Sequence, residues 1–126
     1  MDEVAIVVDP NYGVRLRELA SVRPVWIADT SVNRAVAEEL SRERKEGLGS
    51  TDVTVFRVNP KATPEDWCYG VLEAVDLHHG GLSSSTPYRA IRVIGCEPTE
   101  RLRAALTNFG LNRIHRYEDG FLAERQ

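Results

Sequence analysis

The chain has 126 residues, 42% hydrophobic and 28% charged, with a formal net charge of -3. That length suits a single α/β domain over residues 1–126 with a real core. So weak a charge argues against a nucleic-acid binder held by a broad basic face. The start "MDEVAIVVDP" is acidic with only a short apolar run, which reads as neither signal peptide nor membrane span. Cys68 and Cys96 are too few and too far apart in sequence for a disulfide framework or a zinc-ligand pair, so the chain reads as cytoplasmic with reduced thiols.

Strands and helices alternate. Val4–Val8 is a continuous apolar run, as expected of a strand covered on both faces. Val14–Ala20 reads as one or two helical turns, and Val25–Ala28 as a second strand. Asn33–Lys45 is a predicted helix whose inner stripe is Val32, Val36 and Leu40. "EGLGST" interrupts the chain before a third strand at Val53–Val58. "TPEDW" opens the next helix: Thr63 is a cap, Pro64 suits the first position and acids fill the first turn. Its buried stripe is Trp67, Val71 and Val75 with Cys68 and Leu72, and it ends near "HHGG".

After the loop "LSSSTP", Ala90–Gly95 is the fourth strand. Thr99–Phe109 is the last helix, with Leu102, Ala105, Leu106 and Phe109 at helical spacing and Gly110 as its stop. A fifth strand covers about Arg113–Tyr117, and "YEDGFLAE" predicts a tight Asp-Gly hairpin.

This alternation implies a three-layer Rossmann-like or flavodoxin-like domain with a five-stranded, mostly parallel sheet. The first two strands are the most apolar and should be central, which favours the order 3-2-1-4-5 over 2-1-3-4-5. The hairpin would add a short antiparallel strand beyond the fifth.

In a parallel sheet all strand-to-helix loops emerge at the carboxyl ends of the strands. Asp9, Asn11, Tyr12, Asp29, Thr30, Asn59, Cys96 and Glu97 therefore share one rim. His78, His79 and Ser83–Ser85 share the other, about 17 Å away across a five-residue strand. Neighbouring histidines on a helix point about 100° apart and chelate one ion poorly. His78 and His79 instead suit a helix C-terminus, with Gly80 as its cap. His115 falls on a strand near an edge and takes no role.

Several chemistries lack an essential residue. The turn "DPNYG" has no G-x-G-x-x-G pattern, and no phosphate-binding G-x-x-x-x-G-K-[ST] occurs. Receiver domains end their third strand on an acceptor aspartate, where this chain has Asn59. Haloacid-dehalogenase-type phosphatases carry a second aspartate two residues after the first, where this chain has Asn11. The stretch after Cys96 places Arg101 one residue short of the tyrosine-phosphatase loop, and Pro98 removes a backbone donor.

An acidic Mg²⁺ site made of Asp9, Asp29 and Glu97 is the nearest enzymatic reading. The stretch "VVDPN" resembles the first strand end of PIN-type nucleases over those five residues. Each acid also has a local reason to be there: Asp9-Pro10 begins a turn, Asp29 can cap the helix that follows, and Glu97 sits at a helix start.

Arg92 interrupts an apolar strand between Ile91 and Val93 and requires a carboxylate partner if buried. One sheet face would then be partly open for a second copy of the chain, with Trp26 and Phe121 contributing. Phe121 and Leu122, just past the hairpin turn, also need cover. The expectation is a non-catalytic binding or interaction module, a homodimer needing no cofactor and meeting neither membrane nor nucleic acid. A small ligand at the Asp9 rim, or a Mg²⁺-dependent phosphoester hydrolase there, is the alternative.

Overall fold

The computed structural model of the chain describes residues 3–19, 24–49, 52–77 and 88–125. In chain order these are β1 (Glu3–Val7), a 3-10 helix (Tyr12–Glu18), β2 (Pro24–Ala28), α1 (Ser31–Lys45), β3 (Asp52–Phe56) and α2 (Pro64–Leu77). Then follow β4 (Ala90–Ile94), α3 (Glu100–Asn108), β5 (Arg113–Tyr117) and β6 (Gly120–Glu124). The His78-His79 pair, Gly80 and the Ser83–Ser85 loop lie outside the described residues.

One six-stranded sheet in the order β3-β2-β1-β4-β6-β5 organises these elements. Its first four strands are parallel, with Ile6 opposite Trp26 and Val93, and Trp26 opposite Thr54. The central position expected for the apolar β1 and β2 is what the sheet shows.

The far half differs from expectation. β6 does not extend the sheet beyond β5 but inserts between β4 and β5, antiparallel to both. The physical reason lies in the two sequences. β6, "GFLAE", carries Phe121 and Ala123 on the helix-covered face, where both are wholly buried. β5, "RIHRY", is exposed at every position except Ile114, which suits the outermost strand. Gly120 makes the insertion sterically feasible, because a Cβ there would stand 2.0 Å from the Val93 carbonyl oxygen.

Alternate side chains of each strand point to opposite faces, and each face has its own core. On one side α2 and α3 cover Val4, Ile6, Trp26, Ile91, Val93 and Phe121, with Leu72 and Leu102 packed into them. On the other side α1 and the 3-10 helix cover Ala5, Val7, Val25, Ile27 and Ile94.

Trp26 and Phe121, expected at an interface between copies, are 5% and 0% exposed inside the first core. Burying a side chain of this kind is worth about 1.5–3 kcal/mol, so the domain itself takes up the apolar area a partner would have covered. Leu122 follows Phe121 by one position and therefore faces the opposite side, where it is half-buried.

The helix signals hold in detail. Thr63 and Asp66 cap each other reciprocally: the Asp66 N–H donates to Thr63 Oγ1 at 3.3 Å and the Thr63 hydroxyl donates to Asp66 Oδ2 at 3.1 Å. α3 ends at Gly110, whose φ of 83° lets the Leu111 N–H return to the Leu106 carbonyl at 2.9 Å. In α1 the buried stripe is Asn33, Ala37 and Leu40, one position round from the expected Val32-Val36 line, whose residues are half-buried.

Candidate functional site

At the carboxyl ends of the strands, short polar side chains bind the backbone rather than facing outward. Asp9 Oδ1 accepts the Asn11 N–H at 2.9 Å, closing a turn directly after β1. Thr30 donates its hydroxyl to the Pro10 carbonyl at 2.6 Å and accepts the Asn33 N–H as the cap of α1. Asn33 is buried between them. Its Nδ2 donates to the carbonyls of Asp9 at 2.9 Å and Ala28 at 3.1 Å, while its Oδ1 accepts the Gly13 N–H at 2.6 Å. One side chain thus ties the end of β1, the end of β2 and the 3-10 helix together.

Asp29 is engaged on both oxygens by Arg34 one helical turn on. That guanidinium holds the Asp29 carboxyl below its ordinary value, mainly through hydrogen bonding. Asn59 Oδ1 accepts the Lys61 N–H at 3.0 Å, and its carbonyl accepts the Trp67 indole N–H at 2.9 Å. Glu97 is exposed. Among the described residues no three His, Cys, Asp or Glu side chains are grouped as a metal ion would require.

The structure does bring a second group together, on the sheet face opposite α2 and α3. Arg92 projects there from β4 with its side chain 19% exposed. Its guanidinium donates to Asp119 Oδ1 at 2.7 Å and lies 4.2 Å from the centre of the Tyr117 ring. Asp119 is the turn residue between β5 and β6, and its carbonyl also accepts the Gly95 N–H at 2.8 Å. Arg92 thus has the carboxylate its position requires, supplied by the hairpin.

The same face carries Leu122 beside Arg92 and His115 beyond it, in one row across β4, β6 and β5. His115 Nε2 is 2.6 Å from Glu124 Oε1. A cavity of about 620 Å³ opens in front of this row, with Glu3, Tyr12, Glu18, Arg92, Tyr117 and Asp119 on its walls. Tyr12 is the one member of the expected rim that lines it. Its ring is 3% exposed, and burial pushes its hydroxyl pKa up.

Cys96 lies half-buried after β4, packed against the core that contains the fully buried Cys68 of α2.

Sequence reasoning missed Asn33 and Asp119. The signal for Asn33 was its spacing of four from Ala37 and seven from Leu40, which puts an amide on the inner face of α1. The signal for Asp119 was the unexplained charge of Arg92. On its own the Asp-Gly pattern marks it only as a turn residue.

Fold and site together define an α/β domain with a mixed sheet, one face of which, among the described residues, is covered by helix over one half and left without a covering layer over the other. No helix among the described residues is long and apolar enough to cross a membrane. The chain matches no family model, no curated protein and no solved structure.

Proposed function

We propose that this chain is a Rossmann-like, non-catalytic binding module that associates with a second copy of itself through the open half of its sheet. One observation carries the reading. The core on the α1 side reaches Ile94 of β4 and includes no residue of β5 or β6. Arg92, Tyr117, Leu122 and His115 are therefore left without a covering layer among the described residues. Tyr117 is 49% exposed.

Charge favours a like partner. The patch carries both signs, with Arg92 against Asp119, His115 against Glu124, and Glu3 and Glu18 on the rim. A two-fold interface sets a patch against itself, and only a mixed patch is complementary to its own copy. Pairing along the β5 edge is less favourable, because a two-fold axis there would bring the exposed Arg113, His115 and Arg116 of both copies together.

Light scattering of the full chain over a wide concentration range tests this. The mass is expected to rise toward that of two copies for the natural chain and to stay at one copy for Tyr117→Glu, with Tyr117→Phe behaving as the natural chain. A single-copy mass at every concentration sinks self-association. The cavity before Arg92, whose volume lies within the usual range of small-ligand sites, then becomes the leading binding surface.

A further inference from the structure

We propose that the outer edge of β3 is a strand-addition site that takes an extended peptide segment whose side chains alternate between acidic and apolar. The inference does not depend on the sheet-face reading, because β3 and β5 are opposite edges of the sheet.

An edge strand carries peptide groups that a further strand could bind, and proteins commonly blunt such edges with charge, proline or a bulge. β5 is blunted by the exposed Arg113, His115 and Arg116. β3, "DVTVF", holds only Val, Thr and Val between its ends. No strand among the described residues pairs with its outer side. The Phe56 carbonyl accepts the Asp29 N–H at 2.9 Å, which turns the peptide groups of Phe56 toward β2. These groups alternate in direction along a strand, so the N–H and C=O of Val53 and Val55 point away from the sheet.

An added strand would send its side chains alternately to the two faces of the sheet, and each face has a cavity to receive them. On the α2 face a trough of about 410 Å³ lies beside Phe56, with Val58, Trp67, Gly70, Val71 and Ala74 on its walls. Trp67 is fixed there by its indole N–H, which donates to the Asn59 carbonyl at 2.9 Å. A Cβ at Gly70 meets nothing within 4 Å, so an apolar side chain has room over that position. On the α1 face a cavity of about 420 Å³ lies between Val53 and the end of α1, walled by Ser41, Arg44, Lys45 and Asp52. Asp52 is salt-bridged to Arg44 at 2.9 Å. Lys45 is exposed, and so is Arg57, which continues the Val53–Val55 row just past the strand. Asp29 also acts on Arg57, but both oxygens of that carboxylate are engaged by Arg34. The α1 side of the edge therefore favours an acidic side chain and the α2 side an apolar one.

The same charges oppose a second copy as the occupant. A two-fold axis at this edge would pair the strands antiparallel. With the strands overlapped, Arg57 of each copy would stand beside Arg44 and Lys45 of the other, on one face of the joined sheet.

The test titrates the full chain with a short synthetic peptide alternating glutamate and valine, by calorimetry and by amide hydrogen exchange. Saturable binding with slowed exchange at Val53 and Val55 is the expected result. The same peptide with lysine in place of glutamate should bind at least about tenfold more weakly, as loss of a charge-assisted contact implies. Combining Lys45→Glu with Arg57→Glu should reverse that order. Val55→Pro removes an outward N–H while leaving the β2 ladder, and Gly70→Leu fills the trough; each should weaken the glutamate peptide by at least about tenfold. No binding, equal affinity for the two peptides, or binding that leaves exchange at Val53 and Val55 unchanged overturns the proposal. So does protection of those amides that rises with protein concentration in the absence of peptide, which assigns the edge to a second copy. The comparison of the two peptides uses the natural chain, so it decides even if a variant folds poorly.

Discussion

The Gly13 N–H and Asn33 Oδ1 meet at 2.6 Å in the buried angle between the 3-10 helix and α1. No larger residue fits at the first position: a Cβ on Gly13 would stand 2.6 Å from the Val32 carbonyl oxygen. Asn33 also donates to two carbonyls, so its removal leaves the buried Gly13 N–H unpaired and takes one of two donors from each of the Asp9 and Ala28 carbonyls, which keep the Tyr12 and Thr30 N–H groups. Asn33→Ala is expected to cost about 2–4 kcal/mol, read as a lower urea midpoint with unchanged slope. Asn33→Asp should be at least as harmful, since a carboxylate cannot donate to the Asp9 and Ala28 carbonyls. A loss below about 1 kcal/mol for Asn33→Ala would mean that water replaces the amide.

Two glycines should respond in opposite directions. Gly120→Ala places a methyl 2.0 Å from the Val93 carbonyl oxygen, a backbone atom of the neighbouring strand. Relief requires β4 and β6 to part, so a loss of about 3 kcal/mol or more, or failure to fold, is expected. Gly70 lies on the exposed side of α2, and a Cβ there meets nothing within 4 Å. Gly70→Ala should raise stability by about 0.5–1 kcal/mol through helix propensity. Thermal melts of the two variants beside the natural chain decide both.

The contrast between Gly120 and the apolar β1 shows how far the sequence could be read. Runs such as "VAIVV" and "VWIA", with the Thr63 and Gly110 signals, report local preferences, and local preference placed nine of the ten elements close to where they lie. The position of β6 is a non-local choice. It depends on Phe121 fitting under α3 and on Gly120 tolerating a backbone contact, neither of which a periodicity reveals. The candidate site was legible only at Tyr12 and Arg92. Asp9, Asp29 and Thr30 occupy the rim as expected, but their polar atoms bind turn, helix and arginine.

Acid should expose the contribution of Asp29. Arg34 lowers its carboxyl pKa from the ordinary 3.8, with a weaker pull from Arg57. The folded chain therefore binds that proton less readily than the unfolded chain. The stabilisation is present in full above the unfolded value and is lost as pH falls through the lower folded one. Asp29→Asn should reduce stability near neutrality by no more than about 1 kcal/mol, because the Arg34 side chain is 56% exposed and salt screens the pair. Urea midpoints of the two proteins should converge as pH drops below 3.8. A gap that stays constant into acid would show that the loss comes from packing or capping.

The last prediction concerns Arg92, which joins the open face to the hairpin. Its side chain is 19% exposed and that of Asp119 33%, so the pair is neither fully wet nor fully dry. A double-mutant cycle on Arg92→Met and Asp119→Asn should give a coupling of about 1–2 kcal/mol, between the values typical of exposed and of buried pairs. Methionine keeps much of the stem that packs on the sheet, so the single change isolates the guanidinium. Tyr117 should report the same event, since its ring lies against that guanidinium. Arg92→Met is expected to free the ring and change its near-ultraviolet dichroism, whereas Asp119→Asn should leave the stacking largely in place. If the cycle gives no coupling, the hairpin turn is held by the Gly95 N–H and the Asp119 carbonyl alone. The Arg92 charge is then available to whatever occupies the cavity before it. Arg92→Met would in that case alter association or ligand binding without altering stability, a separation the same two variants can measure.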